Sequence, residues 1–275
     1  MTTVRDVLSC LSGFAPVETK MDFDNVGLLV GHGGGAVTKV LLALDVTEGV
    51  IREAADMGAE LIVSHHPVFF DRKDVTDGDP AGARILALAE ARIAAICMHT
   101  NLDAAAGGVN DALAAALGLA KIELLQTDGI GPDGKIYGIG RIGCTAPTAM
   151  SAFVPAVQKA LKAPGIRFWD AGRPVEKVAV VGGSGGSDLA AAAGCGCDTL
   201  VTGEIKYHQW LDGREMGLNL VEAGHFCTEN PVLLPVSALL LTRFPDLTVK
   251  TSEIHGPTAR FFVASNDCAC ERTGI

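Results

Sequence analysis

Two adjacent histidines close a strongly apolar run, LIVSHHPVFF, at positions 61–70. In a regular strand neighbouring side chains point to opposite faces, so His65 and His66 can share one site only if the backbone turns there. Pro67 favours such a turn, because it has no N–H for a sheet and restricts His66 to an extended conformation. The pair is consistent with metal ligands at a strand end, and equally with imidazoles that bond to backbone or water.

A second polar group lies in the segment MHTNLD. If this segment is extended, His99, Asn101 and Asp103 share one face by the two-residue period of a strand. A carboxylate that faces imidazoles suits a divalent ion, either as a ligand or as the group that orients a histidine. The alternative is that Asp103 is a turn residue that caps the following helix.

A third group lies in the segment GHFCTE. If a helix starts after Gly224, His225 and Glu229 lie four residues apart on one face. This spacing lets one helix offer two metal ligands. Cys227 projects from another face and is interpreted as a core residue. The alternative is an exposed His–Glu pair, which is common on helices.

The elements that must position these residues follow an α/β pattern, in which apolar strands alternate with Ala-rich helices. In open α/β sheets, ligands gather beyond the carboxyl ends of the strands, and the histidines fall there. A polar, Gly-rich stretch at 126–140 interrupts the pattern. We therefore predict two similar α/β lobes with the metal site between them at the strand ends. Residues 1–127 and 232–275 form the first lobe, and residues 128–231 form the second. The main predicted strands are 40–47, 61–67, 93–103, 177–183, 198–204 and 218–225.

Three imidazoles and two carboxylates are more than a four-coordinate zinc that keeps a water would use. Adjacent histidines that splay apart can each bind a different ion, so these side chains suit two ions bridged by a carboxylate. Two carboxylates offset only half of the charge of two divalent ions, which favours hydroxide or an anionic substrate in the open positions. The candidate ligands are His65, His66, Asp103, His225 and Glu229.

Three further segments contain residues that could belong to a site. Glu204 and His208 are four apart on a predicted helix, and they either line the cavity or form a surface pair. Asp24, in DNVGLLVG, is assigned a turn or interface role. The loop GGSGGSD at 182–188 fails the dinucleotide fingerprint, because Asp188 replaces the third glycine, and it lacks the GK[ST] of a P-loop.

The composition excludes some classes of protein. The 275 residues carry a formal charge of −10, which argues against nucleic acid as the main partner. The first residues lack a signal-peptide pattern, and the apolar runs are too short to span a bilayer, so we expect a cytoplasmic protein that does not enter membranes. The eight cysteines are then expected to be reduced, and the C-x-C pairs Cys195–Cys197 and Cys268–Cys270 are interpreted as structural.

Six segments, in order over nearly the whole chain, resemble the motif set of the GTP cyclohydrolase 1 type 2 homologues, also called Nif-three-like dinuclear metal-centre hexameric proteins. The resemblance implies that His65, His66, Asp103, His225 and Glu229 are the metal ligands, the same set that the residue types suggest. It also implies a homohexameric ring whose metal sites face an internal cavity. Larger members carry an extra domain that this chain is too short to hold. The segments are DNVGLLVG, ALDVTEGV, SHHPVFF, HTNLDAAAGGVND, TGEIKYH and GHFCTE.

The predicted function is that of a hydrolase with two divalent metal ions in each subunit, acting on a small anionic or nucleotide-like substrate. His99 is the expected proton donor to the leaving group and Glu229 the bridging carboxylate. Imidazole and carboxylate ligands accommodate zinc, manganese, iron, cobalt or nickel. The family name suggests opening of a guanine nucleotide ring. The alternative function is a non-catalytic metal-binding assembly in metal handling or regulation.

Overall fold

The structure, a computed structural model, describes residues 1–262, so Cys268 and Cys270 lie outside the described residues. The strands in this range are β1 Gly27–Val30, β2 Lys39–Ala43, β3 Leu61–Ser64, β4 Ala94–Cys97, β5 Ala120–Leu124, β6 Gly129–Ile130, β7 Ile136–Tyr137, β8 Arg141–Thr148, β9 Arg167–Trp169, β10 Val175–Val181, β11 Thr199–Thr202, β12 Asn219–Glu222 and β13 Thr248–Thr251.

The helices in the same range alternate with these strands, as the apolar pattern predicts. They are α1 Val4–Phe14, α2 Glu48–Met57, α3 Pro80–Glu90, α4 Thr100–Ala104, α5 Val109–Ala116, α6 Met150–Leu161, α7 Leu189–Gly194, α8 Tyr207–Glu215, α9 His225–Glu229 and α10 Leu233–Arg243. Short 3₁₀ turns cover Val17–Thr19, Gly185–Asp188 and Asn230–Val232. No helix within residues 1–262 combines the length and the apolarity that a bilayer span requires.

The first sheet has the strand order β1-β4-β3-β2-β13. Strands β4, β3, β2 and β13 are parallel, and β1 is antiparallel to β4. All four residues of β3 and of β4 are buried, since helices cover both faces of a parallel sheet. The carboxyl ends of β2, β3 and β4 therefore open at one edge of this sheet.

The second sheet has the order β5-β8-β10-β11-β12-β9. Its central strands β10, β11 and β12 are parallel, and the outer strands are antiparallel to their neighbours. The protein is therefore a mixed α/β structure with two sheets. Each sheet has a parallel centre that is buried on both faces.

Residues 109–124 connect the two lobes, and the last strand returns to the first sheet. Strand β5 pairs with β8, which places residues 120–124 in the second sheet although the division at residue 127 assigns them to the first lobe. Helix α5 packs into both cores, because Val109 contacts the first and Leu113 the second. At the other end, β13 pairs with β2 in the first sheet.

The segment 93–103 is not one extended strand, and this prediction is wrong. Strand β4 ends at Cys97, and residues 100–104 form the short helix α4. Thr100 begins that helix because the carboxylate of Asp24 accepts hydrogen bonds from both its N–H and its hydroxyl. His99, Asn101 and Asp103 consequently do not share a strand face.

Candidate metal centre

The candidate ligands come together from the carboxyl ends of both sheets. His65 and His66 follow β3 directly, and Asp103 lies on α4, which follows β4. His225 and Glu229 lie on α9, which follows β12. One group of His65, Asp103 and Glu229 and a second group of His66, His225 and Glu229 each have ligand atoms within 4.8 Å of one another. Their role as ligands stays a prediction, but the arrangement has the donor types and the spacing that a metal site needs.

Glu229 belongs to both groups and lies between them. Its Oε1 is 3.0 Å from His225 Nε2 and 3.6 Å from His65 Nε2, and its Oε2 is 3.2 Å from His66 Nε2. Helix α9 begins at His225, so His225 and Glu229 lie one helical turn apart, as predicted. A carboxylate in this position can serve two ions.

Three polar atoms at the meeting point are buried and make no hydrogen bond of good geometry among residues 1–262: His65 Nε2, Asp103 Oδ1 and Glu229 Oε2, although His66 Nε2 is 3.2 Å from the last of these. His65 Nε2 and Asp103 Oδ1 are 3.6 Å apart, which is too long for a hydrogen bond. Burial raises the pKa of Asp103 to about 6, because nearby imidazoles offset its loss of solvent only in part. Buried polar atoms are normally paired, so lone pairs that converge without partners fit a bound cation.

Hydrogen bonds at the Nδ1 atoms fix the orientation of the His65 and His66 rings. His65 Nδ1 donates to the carbonyl oxygen of Met98 at 2.9 Å, and His66 Nδ1 donates to Asp45 Oδ1 at 2.9 Å. A carbonyl and a carboxylate can only accept, so these bonds place the proton on Nδ1 and leave the Nε2 lone pair for a metal. The doublet follows the last residue of β3, where the backbone leaves the regular strand, as the proline predicted.

Glu204 has a comparable position behind His225. Its Oε1 lies 3.1 Å from His225 Nδ1, which leaves Nε2 directed to Glu229. Glu204 precedes α8, whereas His208 lies on that helix and is exposed. The two residues therefore do not form a pair on one helix, and only Glu204 contacts the cluster.

His99 lies beside the ligands and has a buried partner of its own. Its ring centroid is 5.1 Å from that of His65 and 5.4 Å from that of His66, and its Nδ1 donates to Asp24 Oδ1 at 2.8 Å. Three hydrogen bonds, from His99 and from Thr100, outweigh burial and hold the pKa of the Asp24 carboxyl well below its usual range. Asp24 is therefore a site residue rather than only a turn residue.

Glycines let two loops of the second lobe lie close to helix α9, which carries His225 and Glu229. Gly183, in the loop after β10, has φ +65°, and a Cβ there would lie 2.2 Å from Glu229 Oε1. A Cβ on Gly203 would lie 2.7 Å from the His225 Cα atom and from Thr228 Oγ1. The Gly-rich loop after β10 thus supports the cluster by leaving room for these side chains.

Neighbouring carboxylates also shift the pKa values of the imidazoles. Burial alone lowers the pKa of His66, but Asp45 and Glu229 outweigh it and raise the pKa to about 10. Glu229 and Glu204 likewise outweigh burial at His225 and raise its pKa to about 9. Burial raises the pKa of Glu229, but the surrounding imidazoles outweigh that effect and hold it well below its usual range. A divalent cation would therefore replace protons on these imidazoles.

The count of charges differs from the sequence-based count. The sequence suggested two carboxylates, Asp103 and Glu229, and the structure adds Asp24, Asp45 and Glu204, each against an imidazole. With neutral imidazoles, these five carboxylates carry one more negative charge than two divalent ions carry positive charge. The cluster therefore has no deficit of negative charge that would favour an anionic substrate in the open positions.

The two sheets and the histidine–carboxylate cluster define a two-lobed α/β protein with a cluster that could hold metal. The chain belongs to the family Duf34/NIF3 (NGG1p interacting factor 3), which matches residues 2–257. A Clostridium perfringens protein named GTP cyclohydrolase 1 type 2 homolog is 38% identical over 237 residues, which cover 85% of this chain and 89% of that protein. A protein of the same name from Clostridium acetobutylicum is 33% identical over 240 residues, which cover 86% and 89%.

A solved structure has the same fold. The crystal structure of a Bacillus cereus protein related to NIF3 superposes with a TM-score of 0.89 at 25% identity, covering 95% of this chain and 99% of that one. The resemblance found from the six motifs is therefore confirmed at the level of the family and the fold.

Proposed function

We propose that this protein is a metal-dependent hydrolase with two divalent ions in each subunit. The observation that carries the proposal is a set of buried atoms that make no hydrogen bond of good geometry, His65 Nε2, Asp103 Oδ1 and Glu229 Oε2, on three residues whose ligand atoms lie within 4.8 Å of one another. His65, Asp103 and Glu229 would hold one ion, and His66, His225 and Glu229 the other. Divalent ions, when bound, supply Lewis acidity and bring the pKa of a water ligand to about 7.

The residues around the cluster would orient the imidazoles, and His99 would transfer a proton. Because Asp24 engages His99 Nδ1, Nε2 is the nitrogen left to pass a proton to a leaving group. His99 donates from Nε2 in its imidazolium form, is neutral after the transfer with Nδ1–H still bonded to Asp24, and regains a proton from water. Met98, Asp45 and Glu204 hold the other imidazoles by their Nδ1 atoms, which keeps each Nε2 directed inward.

The proposal is tested by loading the purified, metal-stripped protein with zinc, manganese, iron, cobalt or nickel and counting the bound ions. Fully loaded protein is then screened with esters, amides, phosphoesters and nucleotides, including guanine nucleotides. Turnover that depends on metal and is lost in Glu229→Gln supports the proposal. A fully occupied centre without turnover on any of these substrates overturns the hydrolase assignment.

A second function, metal handling without catalysis, is favoured by the exposed carboxylates at the cluster. The side chains of Asp45 and Glu204 are 52% and 57% exposed, so an incoming cation meets negative charge before it reaches the buried ligands. Rapid loss of both ions to a mild chelator, with no turnover, would favour this function.

We also propose that the protein works in the cytoplasm as a homohexamer. The six family motifs support the hexamer, since family members of this type are expected to form rings with the metal sites inside. Mass measurement by light scattering tests the assembly. A monomer at micromolar concentration would contradict it.

A further inference from the structure

A cavity of about 520 Å³ adjoins the metal centre. His66 and His225 form part of its wall, so a ligand in the cavity reaches the open side of the cluster. On the second lobe the wall also includes residues 164, 165, 203, 204 and 222–227. Residues 256–259 and 261 complete the wall, and we call the segment 252–262 that contains them the carboxyl-terminal strap.

The strap is anchored first on the lobe that it leaves. After β13, the N–H of Glu253 donates to Glu53 Oε1 at 2.8 Å. Two residues later, His255 Nδ1 accepts the backbone N–H of Leu44 at 3.3 Å. These bonds tie the strap to α2 and to the end of β2, next to Asp45.

The strap then crosses to the second lobe. The ring of His255 packs edge-on against Phe226, with centroids 5.1 Å apart. Farther along, the ring of Phe261 lies against Gly165, where a Cβ would be 2.7 Å from Phe261 Cδ1. The strap therefore encloses the cavity from Gly256 to Phe261 and leaves the metal side open to it.

The charged groups that line the cavity are all acidic or belong to the cluster. Asp45, Glu204 and Glu222 line it, and no lysine or arginine among residues 1–262 does so. Glu222 is neutralised by Arg167, whose Nε donates to it at 2.7 Å, whereas Asp45 and Glu204 each contact an imidazole of the cluster through one carboxylate oxygen. A phosphate or carboxylate that lies in the cavity away from the ions would meet the carboxylates of Asp45 and Glu204 with no lysine or arginine beside it among the described lining residues, which makes its transfer from water unfavourable.

We propose that this cavity is the specificity pocket of the metal centre, and that it accepts an uncharged or cationic, partly apolar group with N–H donors. Phe226, Phe261 and the prolines at 164 and 257 supply the apolar contact, and Asp45 and Glu204 accept hydrogen bonds from the donors. This inference rests on the proposed metal centre and narrows its substrate class to amide-like or amidine-like groups rather than phosphates. An anionic group on the same substrate would contact only the ions.

The test uses three planar probes of the same shape with charges +1, 0 and −1: benzamidine, benzamide and benzoate. Their binding to manganese-loaded protein is followed by titration and by paramagnetic relaxation of the probe protons. Phe261→Ala removes one wall, and we expect it to weaken benzamidine and benzamide at least about fivefold. Benzoate, which reaches the ions directly, should bind Phe261→Ala and the unmodified protein equally.

A matched pair of variants tests the charge of the pocket. Thr258 lines the cavity from the strap and is exposed. Thr258→Lys adds a cation to the pocket and should weaken benzamidine at least about fivefold, whereas the uncharged Thr258→Met should not. Equal weakening of all three probes by Phe261→Ala, or no binding of benzamide to fully loaded protein, would overturn the proposal. Metal content is measured in every sample, so an empty centre identifies a failure of the proposed function instead.

Discussion

His66 Nδ1 donates to Asp45 Oδ1 at 2.9 Å, and the opposite nitrogen of the same ring lies 3.2 Å from Glu229 Oε2. Asp45 thus fixes the direction in which His66 offers its lone pair. The rule that located the histidines also applies to Asp45, since it follows the end of β2. Because Asp45 orients the candidate ligand His66 and is not itself a candidate ligand, its contribution is measured through the affinity for the metal.

We expect Asp45→Asn to lower the affinity for one of the two ions by about 10–100-fold, the usual cost of losing a carboxylate that orients a metal-bound histidine. The other ion should be retained, since His65 is oriented by Met98 instead. Calorimetric titration measures both sites. Asp246→Asn, at an exposed carboxylate, is the matched control, and equal affinities for both variants would contradict the role of Asp45.

Glu229→Gln should disturb both ions at once, because Glu229 is common to both ligand groups. We expect the loss of at least one ion per subunit and of metal-dependent activity by more than about 100-fold. Metal analysis by mass spectrometry checks the first effect. The exposed Glu215→Gln should keep both ions, and a Glu229→Gln protein with full occupancy and activity would refute the shared position.

Metal binding should release protons. Without metal the pKa values of His66 and His225 are about 10 and about 9, so both rings are protonated at pH 7.5 and must lose protons to bind ions. The apparent affinity should therefore rise with pH up to about 10. Calorimetric titration in buffers of different ionisation enthalpy counts the protons that are released. An affinity that does not change with pH between 6 and 9 would contradict proton release.

The same groups make the stability of the metal-free protein depend on pH. Since their folded-state pKa values are raised, their contribution is complete below the usual histidine pKa and is lost as pH rises through about 9 and 10. We expect the Tm of metal-free protein to fall across this window. His225→Asn should flatten the dependence, whereas His208→Asn, at an exposed ring, should leave it unchanged.

Gly183→Ala should empty the centre. Alanine at φ +65° costs about 1–2 kcal/mol wherever it occurs, but here its Cβ would also lie 2.2 Å from Glu229 Oε1. Gly196→Ala, at φ +70° with open space around it, incurs only the backbone cost. Thermal unfolding and metal analysis of the two variants separate these effects. Equal metal content in both would contradict the close approach.

His99→Asn should lower kcat by about 10²–10⁴-fold while metal content is kept, because His99 is expected to transfer a proton and not to bind an ion. Asp24→Asn should lower kcat in the same direction, since it removes the carboxylate that orients His99. The exposed Asp22→Asn is the control. Loss of metal from His99→Asn would instead make His99 a ligand.

The sequence predicts the parts of the site that depend on the side-chain period of a single strand or helix. The histidine doublet at the end of β3 and the one-turn spacing of His225 and Glu229 follow from the geometry of strands and helices. Asp103 is a candidate by its spacing from His99 and by the family motif, but the spacing assumes a strand that residues 100–104 do not form. These predictions needed no knowledge of which sheet each segment joins.

The remaining parts depend on contacts between distant segments. Helix α4 starts where Asp24, 76 residues earlier in the chain, binds Thr100, and no pattern inside MHTNLD shows this. Glu204 faces His225 because β11 and β12 are neighbours in the second sheet, not because of its spacing to His208. Long-range pairing therefore decided the residues that sequence reasoning missed.

The position of β13 has a consequence for synthesis on the ribosome. The sheet that carries His65 and His66 acquires its edge strand only when residues 248–251 emerge, after every strand of the second sheet has been made. A nascent chain that ends soon after Glu229 holds all five candidate ligands on an unfinished scaffold. We therefore expect the ions to be captured only after β13 has joined the first sheet, and not while the second sheet is being made.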